Sequence, residues 1–392
     1  MTVLRGLATE DGGGTPDPGG IYAELGVRPV IHAGGTTTAF GGSRPAREVW
    51  DAMAAASRHF VNVAEANRAV GRYIAEVTGA EAGMVTAGAA SALVLAVAAA
   101  MAGPDTVRGR RLPDTTGLRS QVVIQKGHRG RFTYLARTAG AEFAEAGNVN
   151  ECGPEDLEAA ITGQTAAIVY VLGPGLRQVG PTVAETAQIA GRHQVPLLVD
   201  AAGMLPPKRN LTRFIDEGAD LVMIGGGKFI KGPQNTGLLF GRGDLVEAAL
   251  SHAAPNYSVG RPHKVSREAI VGLYVALRAY VASDETAALA GLRKVAEQVA
   301  AWVGRVPGAE VSIQHDDFEF FVPTVVITLA AGRPGPGVRE IAGRLLAGDP
   351  RVFLYHDRQL RRLLVNPTAL QAGEAELVGR LIRAQLGEET AS

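Results

Sequence analysis

Short, almost wholly apolar runs recur through the first two thirds of the chain: QVVIQ at 121–125, AAIVYV at 166–171, PLLVD at 196–200 and DLVMI at 220–224. Each is too short for a stable helix and is bounded by Gly, Pro or charged residues, which predicts strands buried on both faces. Helically spaced segments at 154–160 and 182–193 lie between them. Strand, helix and strand in repetition predict right-handed crossovers and a mainly parallel sheet covered by helices. The longest apolar run, 87–103, is mostly alanine. It falls short of the roughly 20 residues of a membrane span and predicts a buried helix instead. Ligands of such sheets bind beyond the carboxyl ends of the strands. The polar residues just past each run are therefore the candidates for chemistry.

From about Tyr257 the pattern changes. Helical stretches at 266–280 and 287–303 lead to strand-like pieces at 310–314, 324–329 and 351–354, and then to a terminal helix at 374–386. This predicts a smaller α+β unit, 257–392, after a larger α/β unit, 61–256. Residues 1–20 run through Gly12, Gly13, Gly14 and Pro16 without the continuous apolar stretch of a signal peptide, and read as a flexible tail.

Composition narrows the function classes. With 46% hydrophobic and 20% charged residues the chain is an ordinary globular protein, and a disordered one is excluded. Lys plus Arg and Asp plus Glu each number 39, a balance that argues against a dedicated nucleic-acid binder. The single cysteine, Cys152, cannot form an intrachain disulfide, which fits a reducing cytoplasm.

The ends of the expected strands carry the candidate chemistry. One run closes in Asp200-Ala201-Ala202-Gly203, and the next in Gly225-Gly226-Gly227-Lys228. These lie one strand–helix–strand unit apart, roughly 30 residues, so a carboxylate and an amine face one pocket from neighbouring strands. Pyridoxal phosphate needs that pair: its aldehyde condenses with a lysine amine as a Schiff base, and its ring nitrogen needs a carboxylate to stay protonated. Its phosphate needs backbone N–H donors at a helix N-terminus. Thr86-Ala87-Gly88-Ala89-Ala90-Ser91, opening the alanine-rich helix, supplies small residues and two hydroxyls. His128, just after 121–125, is placed to cover the ring.

Each feature has a plainer structural alternative. Asp200 could cap a helix, Lys228 could be a solvated turn residue, Thr86 to Ser91 could cap a core helix, and His128 with Arg129 and Arg131 could form a basic loop. Their ordered combination favours the cofactor. Rival motifs fail: the phosphate-binding loop G-x-x-x-x-G-K-[ST] would need Gly at Val222 and Ser or Thr at Phe229. No G-x-G-x-x-G opens an early unit, and the scattered histidines and lone cysteine offer no metal-ligand spacing.

The run from Gly225 to Gly237, GGGKFIKGPQNTG, resembles the lysine motif of the selenocysteine synthase (L-seryl-tRNA selenium transferase) superfamily. Residues 25–36, 78–82, 126–129 and 260–265 resemble its shorter branch, which includes D-glucosaminate-6-phosphate ammonia-lyase. The resemblance extends from about Ile21 to Leu386. It implies a fold-type I pyridoxal-phosphate enzyme, with Lys228 as the Schiff-base lysine and Asp200 as the partner of the ring nitrogen. Thr86, Gly88 and Ala89 would belong to the phosphate cup, His128 would stack on the ring, and Gly203 would lie in the turn beside the cofactor. His32, Arg261, His263 and Lys264 become candidates for binding a small amino-acid substrate. Lys231 is the competitor of Lys228, at a position where the family more often has glycine.

Two other departures stand out: His32 replaces a frequent Asn, and His263 a frequent Met. The implied reaction is Cα deprotonation with β-elimination, as in the ammonia-lyase branch. Racemisation, epimerisation or transamination would use the same carbanion. The N-terminal tail does not resemble a tRNA-binding domain, which together with the zero net charge argues against a tRNA substrate and selenium transfer. The fold implies a homo-oligomer, at least a dimer, with residues 21–60 near the active site and subunit interface and the glycine-rich stretch from His32 to Ser43 as an intersubunit element.

Overall fold

The computed structural model describes residues 20–387. The stretch read as a flexible tail lies, apart from Gly20, outside the described residues. After β1 (Val30–His32), seven strands build one sheet. They are β2 (Ala82–Thr86), β3 (Gln121–Gln125), β4 (Glu142–Ala146), β5 (Thr165–Val171), β6 (Leu197–Asp200), β7 (Leu221–Gly225) and β8 (Gly237–Gly241), in the order β2-β8-β7-β6-β5-β3-β4. Every strand but β8 runs in the same direction. The carboxyl ends of six strands therefore share one edge with the amino end of β8.

The central strands are buried on both faces because each face carries its own apolar layer. On one, the helix Gly88–Ala102 contributes Leu93, Leu95 and Val97 against Val122, Leu198 and Met223. On the other, helices Val63–Thr78, Val183–His193 and Arg267–Ala282 pack around Val199, Val222 and Phe240. This is the α/β architecture expected from the alternating runs.

Three strands of this large sheet escaped the sequence reading. β4 (EFAEA) is an edge strand whose glutamates leave it half exposed. β2 (AGMVT) and β8 (GLLFG) are short and contain or begin with glycine. The open edge of β2 is closed by a side chain: Asn67 accepts from the Val85 N–H and donates to its carbonyl, both at 2.8 Å. That amide occupies the place of a neighbouring strand.

Further along come β9 (Ala309–Gln314), β10 (Thr324–Leu329), β11 (Arg351–Phe353), β12 (Tyr355–Asp357) and β13 (Arg362–Val365). Four of them form the antiparallel sheet β12-β13-β10-β9, while β11 pairs in parallel with β1. Helices Glu285–Val303, Val338–Ala347 and Glu374–Gly387 surround a separate core that includes Val325, Ile327, Ile341 and Val378.

Two placements differ from the boundaries read in the sequence. Helix Arg267–Ala282 buries Ile270, Leu273 and Leu277 in the core of the large sheet, although it follows Tyr257. Its apolar face is matched by helix Arg47–Ser57, so it stays with that layer. The N-terminal segment, in turn, begins as a strand of the C-terminal unit through β1–β11 and then crosses to the large sheet.

Candidate active site

The register of the large sheet aligns the candidate residues. Thr86 and Gly225 both pair with Gly237, and Asp200 pairs with Val171 on one side and Met223 on the other. Thr86, Asp200 and the turn leading to Lys228 therefore emerge at the same edge.

The lysine turn is built from close approaches. A methyl group on Gly225 would lie 3.0 Å from the Ala202 carbonyl oxygen and 3.3 Å from Lys228 Cδ. One on Gly203 would lie 3.3 Å from Lys228 Nζ and 3.5 Å from Pro174 Cδ. The Lys228 stem thus folds back across Gly225, and its amine reaches the turn that follows Asp200. The turn closes with Lys231 N–H donating to the Lys228 carbonyl at 3.0 Å. Lys231 has φ +58° and is exposed. That left-handed backbone accounts for glycine being usual there, and it points to Lys228 as the enclosed amine.

Asp200 receives one hydrogen bond, from the Ala202 N–H to Oδ1 at 3.1 Å. Among the described residues its other oxygen has no donor and it forms no ion pair. Burial raises its pKa, while the Ala202 N–H and the Lys228 charge oppose the rise. Burial lowers the pKa of Lys228, with Asp200 opposing. The two groups feel each other's charge without forming a hydrogen bond or ion pair.

The turn after β2 completes the edge. Gly88 has φ +83° and opens the 15-residue helix Gly88–Ala102, whose N-terminus has no side-chain cap. Its first N–H groups are left for an anion. Ser91, in the first turns, is buried and its hydroxyl has no partner. Thr86 donates to the Gly88 carbonyl at 3.0 Å. A methyl group on Gly237 would sit 2.5 Å from Gly88 C and 2.7 Å from Ala89 N, so this turn and the lysine loop are pressed together. An uncapped helix with an orphaned hydroxyl, a carboxylate with a free oxygen and an enclosed amine fit the phosphate, ring nitrogen and aldehyde of pyridoxal phosphate.

His128 is only 1% exposed. Its Nε2 lies 2.8 Å from Gln178 Oε1, and its ring meets Tyr170 edge-on at 4.5 Å between centroids. Burial lowers its pKa against the Gln178 contact. The loop carrying Gln178 also carries Pro174 beside Gly203, so it links His128 to the lysine turn.

The remaining candidates lie in two other places. His263 shares with Thr86 a cavity of about 390 Å³ also lined by Asn67, Arg68 and Asn256, a cavity that neither Asp200 nor Lys228 lines. Arg261 packs over Tyr257, 6.0 Å from its ring centroid, and Lys264 is exposed. His32 faces its own turn: the N–H groups of Gly34 and Thr37 lie 3.2 and 3.3 Å from its two ring nitrogens. It also contacts Phe40 and Phe353 edge-on. Ser43 N–H donates to the Gly227 carbonyl, and Gln234 donates to that of Thr38. Sequence reading missed Asn67 and Gln178, polar residues whose partners are distant in the chain and which belong to no motif.

Comparison with known proteins places the chain in a family. The family model described as L-seryl-tRNA selenium transferase matches residues 36–306. A 5'-C-glycyluridine monooxygenase-decarboxylase from a Streptomyces species is 34% identical over 92% of this chain and 90% of its own. The D-glucosaminate-6-phosphate ammonia lyase of Salmonella typhimurium is 29% identical over 93% of this chain and 97% of its own. A solved structure of D-glucosaminate-6-phosphate ammonia-lyase superposes with a TM-score of 0.81 at 28% identity, covering 93% of this chain and 98% of that one. Oryza sativa TDC with PLP superposes at 0.60 and 16% identity over 91% and 82% of the two chains, a likeness of fold. With its sheet order, its lysine turn and a match over most of its length, the chain belongs to the L-seryl-tRNA selenium transferase family.

Proposed function

We propose that this chain is a pyridoxal 5'-phosphate enzyme of the lyase type, which removes the Cα proton of a small amino acid or amino sugar acid and expels a β-leaving group. The observation that carries the reading is Lys228 Nζ enclosed against Gly203, in the turn that follows a half-buried Asp200 with a free oxygen. Bound pyridoxal phosphate supplies an aldehyde for covalent attachment and a ring that withdraws electrons from the substrate carbon.

The chain's own groups do the rest. The N–H groups at Gly88 and Ala89, with Thr86 and Ser91, hold the phosphate. Asp200 would accept a hydrogen bond from the ring N–H and keep that nitrogen charged. Lys228 would attach the cofactor covalently and, once its amine is free, would take the proton from the substrate Cα. Burial keeps that amine below its ordinary pKa, so more of it is neutral and able to accept a proton. His128 would cover the ring, while His32, Arg261, His263 and Lys264 have their contacts elsewhere and take no part in this step. The ammonia lyase relative supports elimination.

A second reading, loss of the substrate carboxylate with uptake of oxygen, is favoured by the 34% identity to the monooxygenase-decarboxylase. No helix among the described residues is long and apolar enough to cross a membrane. The enzyme acts in the cytoplasm as a homo-oligomer, at least a dimer, which light scattering would measure.

Mass spectrometry of products from an amino-acid panel in deuterated water tests the reaction. A keto acid plus ammonia from one substrate supports elimination. Deuterium at Cα without loss of substrate means racemisation or epimerisation, and a requirement for added keto acid means transamination. Loss of carbon dioxide with oxygen consumption supports the second reading.

A further inference from the structure

We propose that Gln178 is a positioning residue that fixes His128 as the tautomer protonated on Nε2, leaving Nδ1 as an unshared acceptor in the site. This rests on the proposed function only in taking His128 as part of the cofactor site. The Gln178 side-chain amide is oriented by the chain itself. Its Nε2 donates to the Leu176 carbonyl at 3.3 Å, which turns Oε1 toward Tyr170 and His128. That oxygen accepts from the Tyr170 hydroxyl at 2.8 Å and lies 2.8 Å from His128 Nε2. An amide oxygen can only accept, so Nε2 must carry the hydrogen and Nδ1 the lone pair of the neutral ring.

The loop register that sets Gln178 opposite His128 is held at two further points. Gln125 donates to the Pro181 carbonyl at 3.1 Å. Gly127 lies so near Val179 that a methyl group there would stand 2.6 Å from Val179 Cγ2. The charged neighbours on the His128 turn, Lys126 and Arg129, are both paired with Glu145, at 3.4 and 3.3 Å.

A second buried histidine shows what full satisfaction looks like. His252 has Ser258 Oγ 3.0 Å from Nδ1 and the Gly103 carbonyl 2.7 Å from Nε2. His128, equally enclosed, has a partner on Nε2 alone, and its Nδ1 is buried without one. An unmet buried acceptor is costly, and here it is held in a fixed direction by three hydrogen bonds. A donor on the bound ligand would meet it.

The test is nitrogen NMR of the full chain labelled with ¹⁵N-histidine, with the His128 signals identified by their loss in His128→Gln. Wild type should show a protonated Nε2 and a bare Nδ1 at neutral pH. Gln178→Leu removes the fixed acceptor and lets the Tyr170 hydroxyl donate to Nε2, so the Nδ1-protonated form should become the major one. Tyr170→Phe should leave the tautomer as in wild type, because Oε1 still only accepts. Gln178→Glu places a carboxylate against Nε2 and should raise the His128 titration midpoint by about one unit or more. A wild-type ring protonated on Nδ1, or a Gln178→Leu spectrum identical to wild type, would overturn the proposal. Failure to take up pyridoxal phosphate would overturn the proposed function instead and leave the tautomer standing.

Discussion

The two sheets of this protein solve their packing in opposite ways. The antiparallel sheet of the C-terminal unit pairs its buried charge locally, leaving Arg362 Nε without a partner. Arg362, on β13, bonds Glu319 through both terminal nitrogens, at 3.3 and 2.8 Å, and approaches Asp357 at 3.4 Å. The carboxyl edge of the seven-stranded sheet does the reverse. There Ser91 and His128 Nδ1 are buried without partners, Asp200 is half satisfied, and glycines are pressed against backbone at Gly225 and Gly237. Unmet polar groups inside a well-packed frame are costly, and a ligand at this edge would complete Ser91, His128 Nδ1 and Asp200. The comparison supports the proposed cofactor site at the carboxyl edge of the large sheet.

The largest effect that would break this contrast is at Lys228. Lys228→Ala should lose the covalent link and lower turnover by at least about a hundred-fold, the lower bound for a general base. It should still bind pyridoxal phosphate through Asp200 and the Gly88 turn, which equilibrium dialysis would detect. Next is Asp200→Asn, which keeps shape and removes charge. A charge-assisted hydrogen bond of about 1.5–3 kcal/mol is then lost from the reacting state, slowing kcat about ten- to a hundred-fold.

Gly237→Ala comes third. Its methyl group meets backbone at 2.5 Å, which cannot swing aside. Overpacking of this kind costs about 1–3 kcal/mol, seen in urea unfolding, and it should weaken cofactor affinity because the Gly88 turn must move. Arg362→Met supplies the control in the other sheet. It should lower stability by about 1–2 kcal/mol once solvent screening is counted, with cofactor attachment unchanged.

The smallest effect is in pH. Burial depresses the pKa of His32, His128, His252 and His263 below 6.5. The unfolded chain then takes up protons that the folded chain refuses, so stability should decline as pH falls below about 6.5. Asp200, whose raised pKa has the opposite sign, offsets part of this at lower pH. Melting temperatures between pH 7.5 and 5.5 would show the trend, and a flat profile would contradict it.

Much of this was legible in the residues, for a physical reason. Strands buried on both faces, such as QVVIQ and LVMIG, read directly from hydrophobicity. Asp200 and Lys228 follow their strands immediately, so sequence position translates into place at the sheet edge. What stayed hidden depends on contacts between distant parts of the chain. β4 and β8 lack a continuous apolar run long enough to announce a strand. Gln178 has meaning only once its loop lies against the turn after β3, and Asn67 only once its helix lies against β2. His32 read as a substrate contact, yet its ring faces the Gly34 and Thr37 N–H groups and two phenylalanines.

The central claim is that Lys228 holds pyridoxal phosphate in covalent linkage. Purified protein should be yellow, or become so on adding the cofactor. Borohydride reduction followed by peptide mass mapping tests the claim most directly. The account predicts a reduced pyridoxyl-phosphate adduct on Lys228 and an unmodified Lys231. An adduct on Lys231 with Lys228 free, or a protein that takes up no cofactor at all, would contradict it.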